Sequence, residues 1–266
     1  MKNKVVIITG ASSGIGKSLA VVFAKAGANV IVAARNLEKL NQLKDELKGL
    51  YIIPIQTDVS KEEDCKKLID ETIRHYGTID ILINNAGISM RAIFEEVDLN
   101  VIRQLMDINF WGTVYCTKFA LPYILKNKGS VVGVSSIAGY KGLPARTGYS
   151  ASKFAMQGFL ETLRIENLKK GLHVLIACPG FTASNIRNTA LSKNGTMQGE
   201  SPLKEEKLMT SEEVAKQIFK AIIKRKDRII MTTQGKLVVL LNKFFPKLID
   251  KMVYNHMAKE PNTPLK

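Results

Sequence analysis

The sequence predicts an α/β fold in which a seven-stranded parallel sheet is doubly wound, with helices on both of its faces. Three observations carry this prediction. Apolar, β-branched runs alternate with helix-period stretches, the first run leads directly into a glycine-rich turn, and no Pro/Gly/Ser-rich linker divides the 266 residues. Strands that are apolar throughout are typical of a parallel sheet whose two faces are covered by helices. The unbroken alternation indicates a single domain.

Each element follows from its own local pattern. Short β-branched runs predict strands at VVIIT (5–9), NVIVAA (29–34), YIIPI (51–55), DILIN (80–84), SVVGVSS (130–136), HVLIAC (173–178) and RIIM (228–231). Apolar residues at helical spacing fill the intervals and predict helices at 15–26, 37–48, 61–75, 99–126, 149–170 and 211–224. The catalytic unit is therefore expected to cover residues 1–233.

Two segments depart from this rhythm. Residues 181–209 are polar and glycine-dotted, with only a weak helical pattern at 184–191, and a loop of this length in a compact domain is usually a lid or binding loop. We therefore expect a substrate lid there, since the loop follows the sixth strand at the carboxyl edge where such sheets bind ligands. Residues 234–266 predict a helical C-terminal extension, either part of the same domain or peripheral to it.

The C-terminal extension carries an apolar stripe that is interrupted by Pro246 and flanked by Lys236, Lys243, Lys247 and Lys251. The stripe consists of Leu237, Leu240, Leu241, Phe244, Phe245, Leu248, Ile249 and Met252. Two readings remain open. The stripe covers the domain's own core, as most amphipathic helices do, or it contacts a membrane surface or admits a lipid-like substrate.

Composition limits the class of protein without naming it. The chain is 45% hydrophobic and 24% charged, with a formal net charge of +15 that is spread along its length and favours acidic partners in general. Nothing in this distribution predicts nucleic acid as a partner. Cys65, Cys116 and Cys178 are scattered and lack metal-ligand spacing, so we expect no metal site and a cytoplasmic location. No apolar run is long enough to span a membrane.

A glycine-rich turn, TGASSGIG (9–16), lies between the first predicted strand and the first predicted helix. Gly10 permits the tight turn, while Gly14 and Gly16 let backbone amides approach a pyrophosphate at the helix N-terminus. The spacing differs from the G-x-G-x-x-G of the common dinucleotide fingerprint. Its place directly after the first strand is what makes dinucleotide binding the preferred interpretation.

The end of the second strand indicates which dinucleotide is bound. An NAD-binding protein is expected to have an acidic residue there for the ribose 2′-hydroxyl, but this chain has Ala34 followed by Arg35. A guanidinium can pair with a 2′-phosphate, so the sequence predicts NADP(H) in preference to NAD(H). The alternative is that Arg35 only stacks on the adenine.

A tyrosine and a lysine stand four residues apart in GYSASK (148–153). If this stretch is helical, Tyr149 and Lys153 share one face. An isolated pair with this spacing is usually an exposed surface pair. The alternative is that the lysine lowers the pKa of the phenol and makes it an acid–base catalyst near neutral pH.

Seven motifs in order resolve this choice. TGASSGIG, TDVS (57–60), NNAG (84–87), Asn109, the serine pair at 135–136, YSASK (149–153) and PG (179–180) together resemble the short-chain dehydrogenase/reductase (SDR) family in its single-domain, classical form. The resemblance covers residues 4 to about 231 and implies a Rossmann fold. The C-terminal extension resembles, more loosely, that of members acting on lipid ketones, and its length puts the family's usual tetramer in doubt.

The resemblance implies four catalytic residues. Tyr149 would be the general acid–base, Lys153 would lower its pKa and hold the nicotinamide ribose, and Ser136 would hydrogen-bond the substrate carbonyl. Asn109 would bend its helix and hold a water that relays protons through Lys153. Ser135 is the rival serine, and Ser136 is preferred because the family's catalytic serine stands second in this pair.

The resemblance also implies a set of residues that bind the cofactor. Asp58 and Val59 would frame the adenine, and Ser184 stands where the family often has threonine. The full predicted set is Gly10, Ser12, Ser13, Gly14, Ile15, Gly16, Arg35, Asp58, Val59, Asn85, Ala86, Gly87, Tyr149, Lys153, Pro179, Gly180, Thr182 and Ser184.

The sequence therefore predicts an NADP(H)-dependent oxidoreductase that interconverts a ketone and a secondary alcohol, with a small-molecule or lipid-like carbonyl substrate. The alternatives are a 3-oxoacyl-carrier-protein reductase, against which the extension counts, and a non-catalytic NADP-binding redox sensor, against which the intact catalytic residues count. We further expect a homo-oligomer, a dimer rather than the usual tetramer, that is cytoplasmic with peripheral membrane contact through the extension.

Overall fold

The computed structural model of the protein describes residues 1–199 and 208–265. Its central sheet has seven strands in the spatial order β3-β2-β1-β4-β5-β6-β9, and all neighbouring strands pair in parallel. The strands are β1 (Val5–Thr9), β2 (Asn29–Ala34), β3 (Ile52–Gln56), β4 (Ile81–Asn84), β5 (Ser130–Val134), β6 (His173–Cys178) and β9 (Arg228–Ile230). The predicted fold class is confirmed.

Helices cover both faces of the sheet. They are α1 (Gly14–Lys25), α2 (Leu37–Glu46), α3 (Glu62–Tyr76), α4 (Leu99–Leu105), α5 (Gly112–Lys126), α6 (Thr147–Glu166), α7 (Ser211–Ile223), α8 (Thr233–Asn242) and α9 (Pro246–Met257). On one face, Phe23 of α1 and Ile218 of α7 pack in the same buried cluster as Val6 and Ile8 of β1. On the other face, Leu68 of α3 and Leu160 of α6 pack in a second buried cluster. Successive side chains of a strand point to opposite faces, so fully apolar strands fill both layers.

The strand order determines where on the sheet a ligand is expected to bind. β1 lies between β2 and β4, so the chain leaves β1 toward one side of the sheet and later returns to its other side. In doubly wound sheets this reversal opens a crevice at the carboxyl ends of the strands. The glycine-rich turn after β1 and residues 85–87 after β4 both lie at that crevice.

The predicted continuous helix at 99–126 is wrong in one respect. Residues Met106–Trp111 between α4 and α5 are π-helical. The Thr113 hydroxyl donates to the Asn109 carbonyl (3.0 Å), while the Asn109 side chain bonds the backbone of Ile88. Such π-bulges are often found at functional sites, and this one carries Asn109.

The lid segment, 181–209, is only partly described because residues 200–207 lie outside the described chain. Its first residues form β7 (Thr182–Ala183), which pairs with β8 (Met209–Thr210) in a small sheet that the sequence did not predict. The weak helical pattern at 184–191 is wrong: residues 185–189 form turns. The Asn185 carbonyl accepts hydrogen bonds from both the backbone amide and the hydroxyl of Thr189 (3.0 Å each). Beyond these turns, Leu191 forms a β-bridge with Met90.

The C-terminal extension forms α8 and α9. Pro246 is the first residue of α9, where its missing amide hydrogen costs no helical bond. Ile249 and Met257 are buried, but most of the apolar stripe faces outward: the side chains of Leu237, Leu240, Phe244, Phe245, Leu248 and Met252 are all more than half exposed. The interpretation that the stripe covers the core is therefore correct for Ile249 but not for these six exposed residues. Within residues 1–199 and 208–265, no helix is both long and apolar enough to cross a membrane.

Candidate active site

A cavity of about 990 Å³ runs along the carboxyl edge of the sheet. One end is formed by the glycine-rich turn and the start of α2. The other end is formed by the lid segment and the C-terminal extension. All the residues predicted to bind cofactor, together with Ser136, Tyr149 and Lys153, line this cavity, so the structure brings the seven sequence motifs together apart from Asn109, which lies behind the wall.

The glycine-rich turn is shaped by close contacts between backbone segments. Gly10 has φ +67°, in the region that favours glycine, and a Cβ on Gly16 would lie 2.1 Å from the Gly10 carbonyl oxygen. The N-terminus of α1 has no side-chain cap and no acidic residue in its first turn. Its amides and the positive end of the helix dipole are therefore suited to a phosphate group.

Asn85, which follows β4, holds the glycine-rich turn in place. Its side-chain amide donates to the carbonyls of Thr9 (2.9 Å) and Gly10 (3.2 Å). The Thr9 hydroxyl in turn accepts the backbone amides of Asn85 and Ala86 (3.1 Å each). Sequence reasoning missed Thr9, although its place at the last position of β1, before the turn, is a usable signal.

The adenosine end of the cavity carries two exposed cations. Arg35 directly follows Ala34, the last residue of β2, as predicted, and Lys39 in the first turn of α2 lines the same part of the cavity. Asn36 caps α2 by accepting the Lys39 amide (2.9 Å), which fixes the start of that helix. Lys39 was missed, although its spacing of four residues from Arg35 was readable in the sequence.

Asp58 and Val59 lie on the opposite side of this end. The Asp58 carboxylate accepts the amide and the hydroxyl of Ser60 (3.1 and 2.7 Å), so it is held by its own loop. Val59 is buried and packs closely against Gly112: a Cβ added to Gly112 would lie 2.8 Å from the Val59 side chain. These contacts make a fixed wall for a flat ring.

Tyr149 and Lys153 lie in the first two turns of α6 and face the cavity together. The Lys153 ammonium lies 5.8 Å from the centroid of the Tyr149 ring and donates to the Val134 carbonyl (2.9 Å) at the end of β5. Lys153 is 3% exposed, whereas Phe154 beside it is 46% exposed. The pair is thus not a surface pair.

The pKa of Tyr149 is shifted mainly by burial. Burial raises the pKa of the phenol above its ordinary value, and a hydrogen bond with Ser136 and the positive charge of Arg146 offset that rise only in part. Burial also lowers the pKa of Lys153 to about 8. The net shift of the Tyr149 pKa is upward because loss of solvent outweighs the hydrogen bond and the charge of Arg146, and the lowering of this pKa by Lys153 stays a prediction.

The two candidate serines have different partners. The Ser135 hydroxyl accepts a hydrogen bond from the buried amide of Gln157 (2.9 Å). The Ser136 hydroxyl caps a short turn by accepting the Ala138 amide (3.1 Å) and lies within hydrogen-bonding reach of Tyr149. Ser136 is thus the serine beside the phenol.

Asn109 is fully buried in the π-helical segment. Its side chain accepts the Ile88 amide (2.8 Å) and donates to the Ile88 carbonyl (3.0 Å) and the Ser152 hydroxyl (2.8 Å). A Cβ on Gly87 would lie 3.1 Å from the Asn109 side-chain oxygen and 3.4 Å from the Lys153 ammonium. Asn109 and Lys153 therefore flank the same glycine, and the proton relay between them stays a prediction.

The segment after β6 completes the wall beside the catalytic group. Thr182 donates to the Gly180 carbonyl (3.1 Å) and Ser184 to the Thr182 carbonyl (3.4 Å), so each hydroxyl is tied to its own loop. Thr232 packs against Gly180, where a Cβ would lie 2.8 Å from its methyl group. Together with Pro179, this segment closes the cavity opposite Tyr149.

These residues fit a nicotinamide dinucleotide. The glycine-rich turn would offer amides to a pyrophosphate, the loops after β2 and β3 would hold a flat base with cations beside it, and Lys153 would donate to a ribose hydroxyl. At Gly14, which lines the cavity, an added Cβ would come no closer than 3.4 Å to Ser184, so this part of the turn is left free of a side chain.

Comparisons with known proteins identify the family of this chain. The family model described as short chain dehydrogenase matches residues 4–195. The chain belongs to the short-chain dehydrogenase family. It is 39% identical over 254 residues to an Arabidopsis thaliana protein named 11-beta-hydroxysteroid dehydrogenase-like 2, covering 94% of this chain and 80% of that one. It is 42% identical over 210 residues to a Pinus massoniana 11-beta-hydroxysteroid dehydrogenase, covering 77% of this chain and 58% of that one.

Solved structures of short-chain dehydrogenases share the fold. One from Burkholderia phymatum, in complex with NAD, has a TM-score of 0.82 at 24% identity and covers 93% of this chain and 95% of its own. An alcohol dehydrogenase from Thermococcus sibiricus, complexed with 5-hydroxy-NADP, has a TM-score of 0.77 at 22% identity and covers 86% and 96%. The family model and the hydroxysteroid dehydrogenase relatives, rather than these structures, show that this short-chain dehydrogenase is an oxidoreductase that acts on CH–OH groups.

The substrate half of the cavity contains the residues that sequence reasoning missed most completely. The ring of His256 stacks on Phe181 (6.0 Å between centroids, 28°), which joins the C-terminal extension to the lid segment. Further lining comes from Arg146, Val238, Ile249, Met252, Met257 and Glu260. The extension of this short-chain dehydrogenase thus forms a wall of the cavity. Ile249 and Met252 belong to the predicted apolar stripe, whereas no sequence motif marks Val238, Met257 or Glu260.

Proposed function

We propose that the protein is an NADP(H)-dependent ketone reductase and secondary-alcohol dehydrogenase that acts on a lipid-like carbonyl compound. The observation that carries the proposal is the shared cavity. Tyr149, Ser136 and Lys153 stand between a dinucleotide cradle and an apolar chamber lined by Leu191 and Met257. Two relatives are named as hydroxysteroid dehydrogenases, which favours a large apolar ketone.

The chain's own residues supply the proton chemistry. A nicotinamide cofactor would supply or accept the hydride. The raised pKa of Tyr149 keeps its phenol protonated at neutral pH, so it can donate a proton to the carbonyl oxygen of a ketone. Ser136 is placed to donate a second hydrogen bond to that oxygen, where negative charge develops in the transition state. Lys153, held by the Val134 carbonyl, is placed to return a proton to Tyr149.

A panel of ketones incubated with NADPH and followed by absorbance tests this function. We expect reduction of long-chain or polycyclic ketones at a higher kcat/KM than reduction of acetone-sized ones, because the chamber gains free energy from burying apolar surface, about 0.8 kcal/mol per CH₂. A panel without any turnover would reject the proposal and favour the non-catalytic sensor. Strong preference for an acyl-carrier-protein substrate would favour the 3-oxoacyl reductase.

NADPH should exceed NADH in kcat/KM by at least about tenfold, or about 1.4 kcal/mol. The support is Arg35 and Lys39, both exposed and both at the adenosine end, without a carboxylate at the end of β2. Arg35→Ala should remove most of the preference and Lys39→Ala part of it, with NADH kinetics unchanged. The control is Lys44→Ala, which removes a lysine from the same helix as Lys39 but further from Arg35. Equal use of the two cofactors by the unmodified protein would reject this choice.

The exposed stripe of the C-terminal extension is proposed to rest on an anionic bilayer surface. Leu240, Phe244 and Leu248 are more than half exposed beside Lys243 and Lys247, and such pairing of apolar and cationic side chains suits the headgroup boundary of a membrane. A cytoplasmic location at a membrane surface is part of the same proposal.

Vesicle sedimentation measures this contact. Phosphatidylserine vesicles should bind the protein more than phosphatidylcholine vesicles, and salt should weaken binding because it screens the lysines. Phe244→Ser with Leu248→Ser should abolish binding and leave reduction of a small ketone unchanged. No sedimentation at low salt would reject membrane contact. The expected homodimer remains a prediction, which light scattering of the purified protein tests.

A further inference from the structure

A buried charged cluster closes the substrate end of the cavity. Arg91, Arg146 and Glu260 are each less than 10% exposed, and the last two line the cavity together with Tyr149. One oxygen of the Glu260 carboxylate lies 3.2 Å from the Arg146 guanidinium and 3.3 Å from Arg91 Nε. Two guanidinium groups therefore share one carboxylate oxygen.

The cluster is not electrically balanced. Asp58 and Glu260 are the carboxylates among the cavity-lining residues that the structure describes, and Asp58 stands at the adenosine end. Within the cluster itself, the two guanidinium groups of Arg91 and Arg146 face the single carboxylate of Glu260. Excess charge held away from water costs several kcal/mol unless a counter-charge reaches it.

Arg146 is also held in place by its backbone. Ala145 before it has φ +58°, a conformation that L residues other than glycine rarely adopt, and is 6% exposed. The Arg146 guanidinium donates to the Ala145 carbonyl (3.3 Å), and Arg146 is the residue before the first turn of α6, which contains no acidic residue. Strain of about 1–3 kcal/mol at a residue persists where the surrounding structure enforces it. Here it aims a cation and a helix N-terminus at the same end of the cavity.

We infer that Arg146, with Arg91 behind it, is the binding site for an anionic group on the substrate, a carboxylate or phosphate at the end of the apolar chain remote from the ketone. Glu260, brought in by the C-terminal extension, offsets part of the positive charge and tunes the strength of this contact. The inference rests on the proposed ketone reductase and adds the class of its substrate: an amphiphile with an oxyanion at one end. Arginine suits this role because its fork of donors matches the two oxygens of a carboxylate or phosphate.

The test compares methyl-ketone carboxylates of six, eight and ten carbons with their methyl esters, at saturating NADPH. In the unmodified protein, one chain length should show a kcat/KM at least about tenfold higher for the acid than for its ester, about 1.4 kcal/mol. Arg146→Gln should reduce this ratio at least fivefold. Glu260→Gln should increase it, because the arginines then lose their internal counter-charge. Arg164→Gln, which removes a surface cation, is the control and should leave the ratio unchanged.

Calorimetric titration with decanoate gives a readout that does not need turnover. Binding should weaken in Arg146→Gln and strengthen in Glu260→Gln. If the cluster serves only to hold the C-terminal extension, the two variants instead lose thermal stability together, with acid-to-ester ratios near one at every length, and the inference is wrong. Esters reduced as fast as acids would reject the inference and keep the ketone reductase, whereas no reduction of acids, esters or other ketones would reject the proposed function itself.

Discussion

Replacing Tyr149 with phenylalanine should lower kcat for ketone reduction by about a hundredfold or more, because the substitution keeps the ring and removes the proton donor. NADPH affinity should stay within about threefold, since a phenyl ring fills the same space, and measurement of affinity by fluorescence titration separates the two effects. The structure supports this expectation through the position of the phenol beside Ser136 and Lys153.

Tyr140→Phe is the matched control. The Tyr140 hydroxyl is buried beside the Cys178 thiol, which is a weak hydrogen-bonding partner, and Tyr140 is not among the residues that line the described cavity. Its loss should leave kcat unchanged. Near-normal turnover in Tyr149→Phe, or an equal loss in Tyr140→Phe, would contradict the assignment.

The pH dependence follows from the raised pKa of Tyr149. A raised pKa means that the phenol is protonated at neutral pH, so reduction keeps its donor there. Alcohol oxidation needs the phenolate, whose population grows as the pH rises toward that pKa. The oxidation rate of the unmodified protein should therefore climb from about pH 7 to 10, and the Tyr149→Phe variant should lose this slope. A flat oxidation profile would mean that another group accepts the proton.

The fold could be predicted because its signals are local and repeated. Each of β1, β4 and β6 is a short and mostly apolar run, and burial on both faces of a parallel sheet favours this composition. The resemblance implied that Asn109 bends its helix, but the π-helical segment itself could not be read from the local pattern, because the Asn109 side chain bonds the backbone of Ile88, 21 positions away. Helical spacing in the sequence carries no trace of such a contact.

The cofactor end of the site was more predictable than the substrate end. The glycine-rich turn and the Tyr149–Lys153 pair are contiguous motifs with fixed spacing. Arg146 and Glu260, in contrast, lie 114 positions apart and meet only because α9 turns back over the cavity. Neither the residue type of Glu260 nor its sequence neighbours indicated a role in the site, because it is one of many charged residues in a lysine-rich tail.

The electrostatics of the Tyr149–Lys153 pair were only partly predictable. Spacing alone places an ammonium near a phenol and suggests a lowered pKa. The structure adds burial of both groups, which raises the pKa of Tyr149 and lowers that of Lys153 to about 8. Burial arises only when the chain folds around the cavity, so it could not be predicted from the five residues 149–153.

Gly16→Ala should cost about 1–3 kcal/mol of stability and weaken binding of NADPH at least tenfold. Gly16 is buried in the first turn of α1, where an added Cβ would lie 2.1 Å from the Gly10 carbonyl oxygen and 2.6 Å from the Asn85 side-chain nitrogen. The contact is with backbone on one side and with the residue that holds the turn on the other. Relief requires α1 to move away from β1, which displaces the amides that face the phosphates.

Gly158→Ala isolates this packing effect from the general effect of adding a methyl group. Gly158 is an exposed residue within α6, and nothing lies within 4 Å of its hypothetical Cβ. Alanine there should stabilise the protein by about 0.5–1 kcal/mol, because glycine loses more conformational freedom than alanine in a helix. Thermal denaturation should thus move in opposite directions for the two variants, by about 2–4 °C per kcal/mol for a chain of this size. If Gly16→Ala unfolds and binds NADPH like the unmodified protein, the close contact of α1 with Gly10 does not shape the cofactor site.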